Sequence, residues 1–121
     1  MKHNFMIKFI LISFLFFQVN SVLAMAKTII WQCQVDRVNG KKQNNGKINK
    51  YKIDVTTPMV WVGDETRWSG FENTKFLYDK NNHLLTSDSN SWAGIYYLIE
   101  NKIEFINNLA NLKIIYKCKE L

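Results

Sequence analysis

The chain of 121 residues has two cysteines, Cys33 and Cys118, and each sits on the apolar face of an alternating stretch. In Ile29-Ile30-Trp31-Gln32-Cys33-Gln34-Val35, the residues Ile29, Trp31, Cys33 and Val35 share one face. In Leu112-Lys113-Ile114-Ile115-Tyr116-Lys117-Cys118-Lys119, the residues Leu112, Ile114, Tyr116 and Cys118 do the same, with Lys113, Lys117 and Lys119 opposite. Successive side chains of a strand point to opposite sides, so both cysteines are expected on the apolar side of a half-buried strand. A Cys33–Cys118 disulfide would tie the first strand to the last and close the sheet. Two separate buried thiols are the competing reading.

The opening residues read as an address. Lys2, His3 and Lys8 make a basic start, Phe9 to Phe17 is apolar apart from Ser13, and Val22-Leu23-Ala24 offers small residues to a signal peptidase. The apolar run is short for a membrane span and ends in Gln18-Val19-Asn20-Ser21. Residues 1–24 are therefore expected to be a cleaved signal peptide, with a cut after Ala26 as the second choice and no membrane span once it is removed. Residues 25–121 form one expected domain, exported to the periplasm or secreted. That compartment oxidises thiols, and a small core needs the help.

Loss of Lys2 and Lys8 lowers the net charge from +6 to +4. Lys41, Lys42, Lys47, Lys50 and Lys52 carry most of the excess. Such a cluster suits an anionic partner, or simply a solvated loop that guards strand edges. Export argues against nucleic acid.

From the first strand onward the periodicity is that of strands. Asp36 to Lys47 is polar, with Asn39-Gly40 and Asn44-Asn45-Gly46 marking a connection. Tyr51, Ile53 and Val55 alternate with charged neighbours, and Met59-Val60-Trp61-Val62 follows Pro58. Lys75 to Tyr78 and Leu84 to Ser87 flank Asn81-Asn82, a pair that tolerates left-handed backbone. Ile95 to Ile99 and Ile103 to Ile106 are split by Glu100-Asn101-Lys102. Helical periodicity is absent from these segments. The expected fold is all-β: a small antiparallel meander barrel of seven or eight strands, closed by the first-to-last-strand disulfide, with aromatic side chains filling it. Trp31, Tyr51, Ile53, Phe76, Tyr96, Phe105 and Tyr116 are the expected inward set. A two-sheet sandwich is the alternative.

Catalytic and metal chemistry finds little footing. His83 is the one histidine past the leader and sits in a turn, and oxidised cysteines offer neither a nucleophile nor a metal ligand. Asp64-Glu65 and the pair Glu72 and Asp79 supply carboxylates, but a sequence this short offers no pocket argument for the raised pKa that a glycosidase acid needs. Gly-x-Ser-x-Gly and phosphate-cradling glycine motifs are absent. The chain reads as non-enzymatic, without cofactor or metal.

One stretch has the composition of a recognition loop: Gly63 to Asn73, with Arg67, Trp68, Ser69, Gly70 and Phe71 at its centre. Its aromatics would otherwise cover one end of the barrel. With the signal peptide, Trp31-Gln32-Cys33 near the mature start, Ser69-Gly70 in mid-chain and a closing cysteine, the layout resembles the periplasmic inhibitors of c-type lysozyme. That resemblance implies a small antiparallel barrel that inserts a Ser-Gly loop into the lysozyme cleft. Where that family carries a tyrosine shortly after the Ser-Gly, this chain has Phe71-Glu72-Asn73. Two functions follow as expectations: a non-catalytic exported binding protein whose partner is a protein such as lysozyme, or a carrier of a small apolar ligand with a lipocalin-like cavity. An unfilled interior lined by Tyr and Trp would favour the carrier.

Overall fold

The computed structural model describes residues 28–44, 46–64 and 66–121. The expected leader and both cleavage positions lie outside the described residues. Ten antiparallel strands make one sheet: β1 Thr28–Val38, β2 Lys41–Lys42, β3 Ile48–Asp54, β4 Met59–Gly63, β5 Trp68–Gly70, β6 Lys75–Asp79, β7 Leu84–Asp88, β8 Trp92–Tyr97, β9 Lys102–Asn107 and β10 Leu112–Glu120. Eight match the strands expected from the alternation. The two additions, β2 and β5, are two and three residues long and arise where tight turns fold polar stretches back onto their neighbours. Among the described residues no helix is long and apolar enough to cross a membrane.

The turns explain the register. Asn39 and Gly40 both have positive φ, 50° and 82°, so a two-residue turn reverses β1 into β2 with Val38 opposite Lys41. Three later hairpins share another device: a four-residue connection whose last residue is left-handed. Those residues are His83, Asn101 and Asn111, with φ of 54°, 54° and 50°. The β6–β7 turn therefore places its left-handed residue at His83 and not in the expected Asn81-Asn82 pair. There Asp79 accepts bonds from the Asn82 backbone and side chain, and Asn82 stays at negative φ. In the β8–β9 turn, Asn101 in the last position brings Tyr97 opposite Lys102, which leaves Leu98 and Ile99 in the turn. Acceptors at the start of the loops hold them: Asp54 receives the Thr56 N–H at 2.8 Å, and Asn107 receives the Ala110 N–H at 3.1 Å.

Strand order is β5-β4-β3-β1-β10-β9-β8-β7-β6. Followed round the curl, this is a meander in sequence order, joined where β1 meets β10 and broken between β5 and β6. At the join, Cys33 lies directly opposite Cys118, with Cα atoms 4.1 Å apart, and the disulfide is formed. The Cys118 N–H donates to Asn101 at 2.9 Å, away from β1, so the cysteines occupy the close, non-hydrogen-bonded kind of pair. At the break, β5 and β6 meet through side chains, with the Phe71 and Phe76 ring centroids 6.4 Å apart. The barrel is thus a curled half-barrel that keeps two strand edges, where full closure was expected to remove them. Physically, β5 is three residues long and Asn73 turns the chain at φ 53° before β6 starts, so no ladder forms there.

Trp31, Ile53, Val60, Leu85 and Ile103 are fully buried at the centre, joined by Cys33, Tyr51, Val55 and Tyr96. Every one lies on the inward face set by the period of two. The outer face is covered by amphipathic side chains. Lys52 lies over Trp61 and Trp68 at 4.6 and 5.3 Å, Lys102 lies over Tyr97 at 4.3 Å, and Lys113 pairs with Glu104 at 3.1 Å.

Candidate functional site

The inward face does not fill the curl. Beside the packed centre lies a cavity of about 300 Å³, roughly ten waters' worth and at the small end of small-molecule sites. Tyr51 of β3 and Val62 of β4 form one wall. Tyr96, Phe105, Ile114 and Tyr116, from β8, β9 and β10, form the other. The mouth is made by connections: Phe71 and Thr74 between β5 and β6, Ser89 and Trp92 at the β7–β8 turn. Trp92 is 37 % exposed, which puts its indole at the opening.

The tyrosine and phenylalanine rings are locked edge to face. Tyr51 meets Tyr116 at 6.1 Å, Phe105 meets Tyr116 at 5.6 Å, and Tyr96 meets Phe105 at 5.9 Å with planes at 90°. Gly94 makes the arrangement possible. It shares the inward face with Ser87 and Phe105, and a Cβ there would run into the Ser87 Oγ and come within 3.0 Å of the Phe105 ring. With the rings packed edge to face, Phe105 and Tyr116 are half-buried around a hollow and do not complete a solid core.

Polar side-chain groups in the wall are hydroxyls. Thr74 Oγ1 donates to the Glu72 carbonyl at 3.1 Å and Ser89 Oγ to the Trp92 carbonyl at 3.3 Å. The Tyr51 and Tyr116 phenols are neighbours, as are the Ser87 hydroxyl and the Tyr96 phenol. Burial pushes the Tyr51 phenol far above its ordinary range, with the neighbouring Tyr116 and Tyr96 adding to it. The Tyr96 phenol is raised as well, by burial that outweighs the opposing Ser87 bond.

The five residues of the expected recognition loop are divided between the two faces of the sheet. The Asp64 carboxylate accepts bonds from the backbone N–H groups of Thr66 and Arg67 at 3.0 and 3.2 Å, which folds the chain back so that Trp68–Gly70 pairs with β4. Once the segment is a strand, its side chains alternate. Trp68 takes the outer face against Lys52, and Phe71 turns in to line the cavity. Arg67, Ser69 and Gly70 are exposed at the end of the sheet. Gly70 has no positive φ, and a Cβ on it would sit at ordinary contact distance from Met59 and Trp61.

Two of the candidate carboxylates, Asp64 and Asp79, hold turns, and Glu65 lies outside the described residues. Asp64 is held below the usual carboxylate range chiefly by the Thr66 backbone bond, and Asp79 by the Asn82 side chain. Both shifts run opposite to what a general acid requires. Among the described residues no three His, Cys, Asp or Glu side chains gather where they could hold a metal. A second hollow of about 350 Å³ lies on the outer face beside the disulfide, but it is bordered by Gln32, Gln34, Lys117 and Lys119 and has no aromatic wall.

Sequence reading missed Trp92, Ser87, Ser89, Thr74 and Ile114 as parts of one site. Part of the signal was there: Trp92, Gly94 and Tyr96 alternate, so starting β8 three residues earlier would have placed Trp92 inward and flagged Gly94 as a gap in the wall. No protein-family model, curated protein or solved structure matches the chain.

Proposed function

We propose that this protein is an exported, non-catalytic carrier that binds a small apolar ligand within the curl of its sheet, acting in the periplasm or outside the cell. The observation that carries the reading is the 300 Å³ hollow walled by Tyr51, Tyr96, Phe105 and Tyr116. Small barrels hold one small ligand when the interior is not filled by side chains. The disulfide is compatible with an oxidising compartment. The test is titration of the purified protein with a neutral fluorescent probe, N-phenyl-1-naphthylamine. Saturable one-site enhancement that is lost in Val62→Phe, with the fold intact by circular dichroism, is the expected result. Absence of binding by the unmodified protein sinks the reading.

A second reading, recognition of a protein and specifically inhibition of a c-type lysozyme, is favoured by the exposure of Arg67, Ser69 and Gly70 at a sheet end whose outer edge is unpaired. In that case Ser69 would reach the catalytic carboxylates by hydrogen bonding and Arg67 would pair with one. A lysozyme activity assay with excess protein decides it, and undiminished lysis speaks against it.

A further inference from the structure

We propose that the cavity selects an uncharged, ring-bearing ligand with one hydrogen-bond acceptor, such as a ketone or quinone oxygen, held by the Tyr96 or Tyr116 hydroxyl. This rests on the carrier reading. Charge is the first filter. None of the side chains forming the cavity is acidic, basic or a histidine. An ion entering it would lose hydration without a counter-charge, which costs several kcal/mol. Aromatic faces attract cations. Here, however, the Tyr51–Tyr116, Phe105–Tyr116 and Tyr96–Phe105 contacts each cover a ring face with a ring edge, and the chain's net charge is positive.

Hydroxyl counting supplies the second filter. The Thr74 and Ser89 protons are committed to backbone carbonyls. Tyr51 with Tyr116, and Ser87 with Tyr96, bring hydroxyls together in pairs in the cavity wall. Each hydroxyl has one proton, so a pair that spends one proton on its neighbour still has one donor left over. Buried donors without acceptors are rarer and more costly than spare lone pairs. A bound ligand that excludes water must therefore bring an acceptor to these phenols, while its rings fill the space between Phe71, Phe105 and Trp92.

Four naphthalenes of one shape test this by displacing N-phenyl-1-naphthylamine from the full folded protein: 2-acetylnaphthalene, 2-ethylnaphthalene, 2-naphthoate and 2-naphthylmethylammonium. The acetyl compound is expected to bind about three- to tenfold more tightly than the ethyl one, the range given by one net hydrogen bond. Both ions are expected to bind more than about tenfold more weakly than the acetyl compound, because the cavity offers them no counter-charge. Tyr96→Phe or Tyr116→Phe should erase the acetyl advantage and leave the ethyl affinity unchanged. Equal binding of the acetyl and ethyl compounds, or an ion that binds as well as either, overturns the ligand class while leaving the carrier reading standing. If the probe and all four compounds fail to bind, both fall.

Discussion

Phe71 and Phe76 pack with ring centroids 6.4 Å apart across the break between β5 and β6, where the main strand path ends. Their contact does by side-chain packing what backbone hydrogen bonds do elsewhere round the curl. Phe71→Ala should remove that contact and one side of the cavity mouth together. Both rings are half-buried, so the expected loss is about 1–2 kcal/mol, below the range for fully buried Phe→Ala changes. Urea unfolding measures it. Hydrogen exchange of β5 and β6 should rise at the same time, and an unchanged exchange pattern would mean the two strands are held together by something else.

At the opposite side of the curl, the disulfide closes a loop of 85 residues. In the chain-entropy model a loop of that size contributes about 4–5 kcal/mol, a large part of the 5–15 kcal/mol typical of a domain. The Cys33→Ala, Cys118→Ala double variant should therefore unfold at less than about two thirds of the parent's urea midpoint. Intact mass under non-reducing and reducing conditions should differ by two hydrogens in the parent alone.

How far the sequence spoke depended on the length of each alternating run. The Cys33 and Cys118 strands carry seven and eight residues in which every inward position is apolar, and both the face and the partner of each were legible. β5 has three residues between an Asx-capped turn and a bend, too few for a period of two to show, so Trp68 to Phe71 looked like a loop. The hollow was illegible for another reason. Inward aromatics announce volume but not whether they stack flat or edge to face, and that choice turns on Gly94, whose missing side chain admits the Phe105 ring.

Glycine substitutions separate the hollow from the sheet end. Gly94→Ala forces a Cβ into Ser87 and Phe105, so it should cost about 1–3 kcal/mol as overpacking does and weaken probe binding in the cavity. Gly70→Ala meets only ordinary contacts and should leave stability within about 0.5 kcal/mol. Arg67→Ala and Ser69→Ala, both exposed, should likewise leave the melting temperature nearly unchanged. If any of these three unfolds the protein, the sheet end is a structural lid and has no claim to be a recognition surface.

Alkaline titration reads the tyrosine network directly. Of five tyrosines, Tyr51 and Tyr96 are pushed well above the ordinary phenol value by burial, and Tyr97 is raised by partial burial and then by the nearby Glu104. A phenol whose pKa is higher in the folded than in the unfolded chain binds its proton more tightly when folded. Its stabilising contribution is complete below about pH 10, where the unfolded phenol titrates, and is lost as pH rises beyond that through the folded value. Stability should thus be flat in these groups at neutral pH and fall steadily above about pH 10. Phenolate absorbance followed with far-ultraviolet circular dichroism should show the Tyr51 and Tyr96 phenols ionising only as the sheet signal collapses. In the Tyr51→Phe, Tyr96→Phe double variant the alkaline unfolding midpoint should move upward, because the unfolded chain no longer gains by ionising them. If all five phenols instead titrate reversibly near pH 10 in a folded protein, the rings are not packed edge to face around the hollow, and the cavity described for the ligand does not exist in solution.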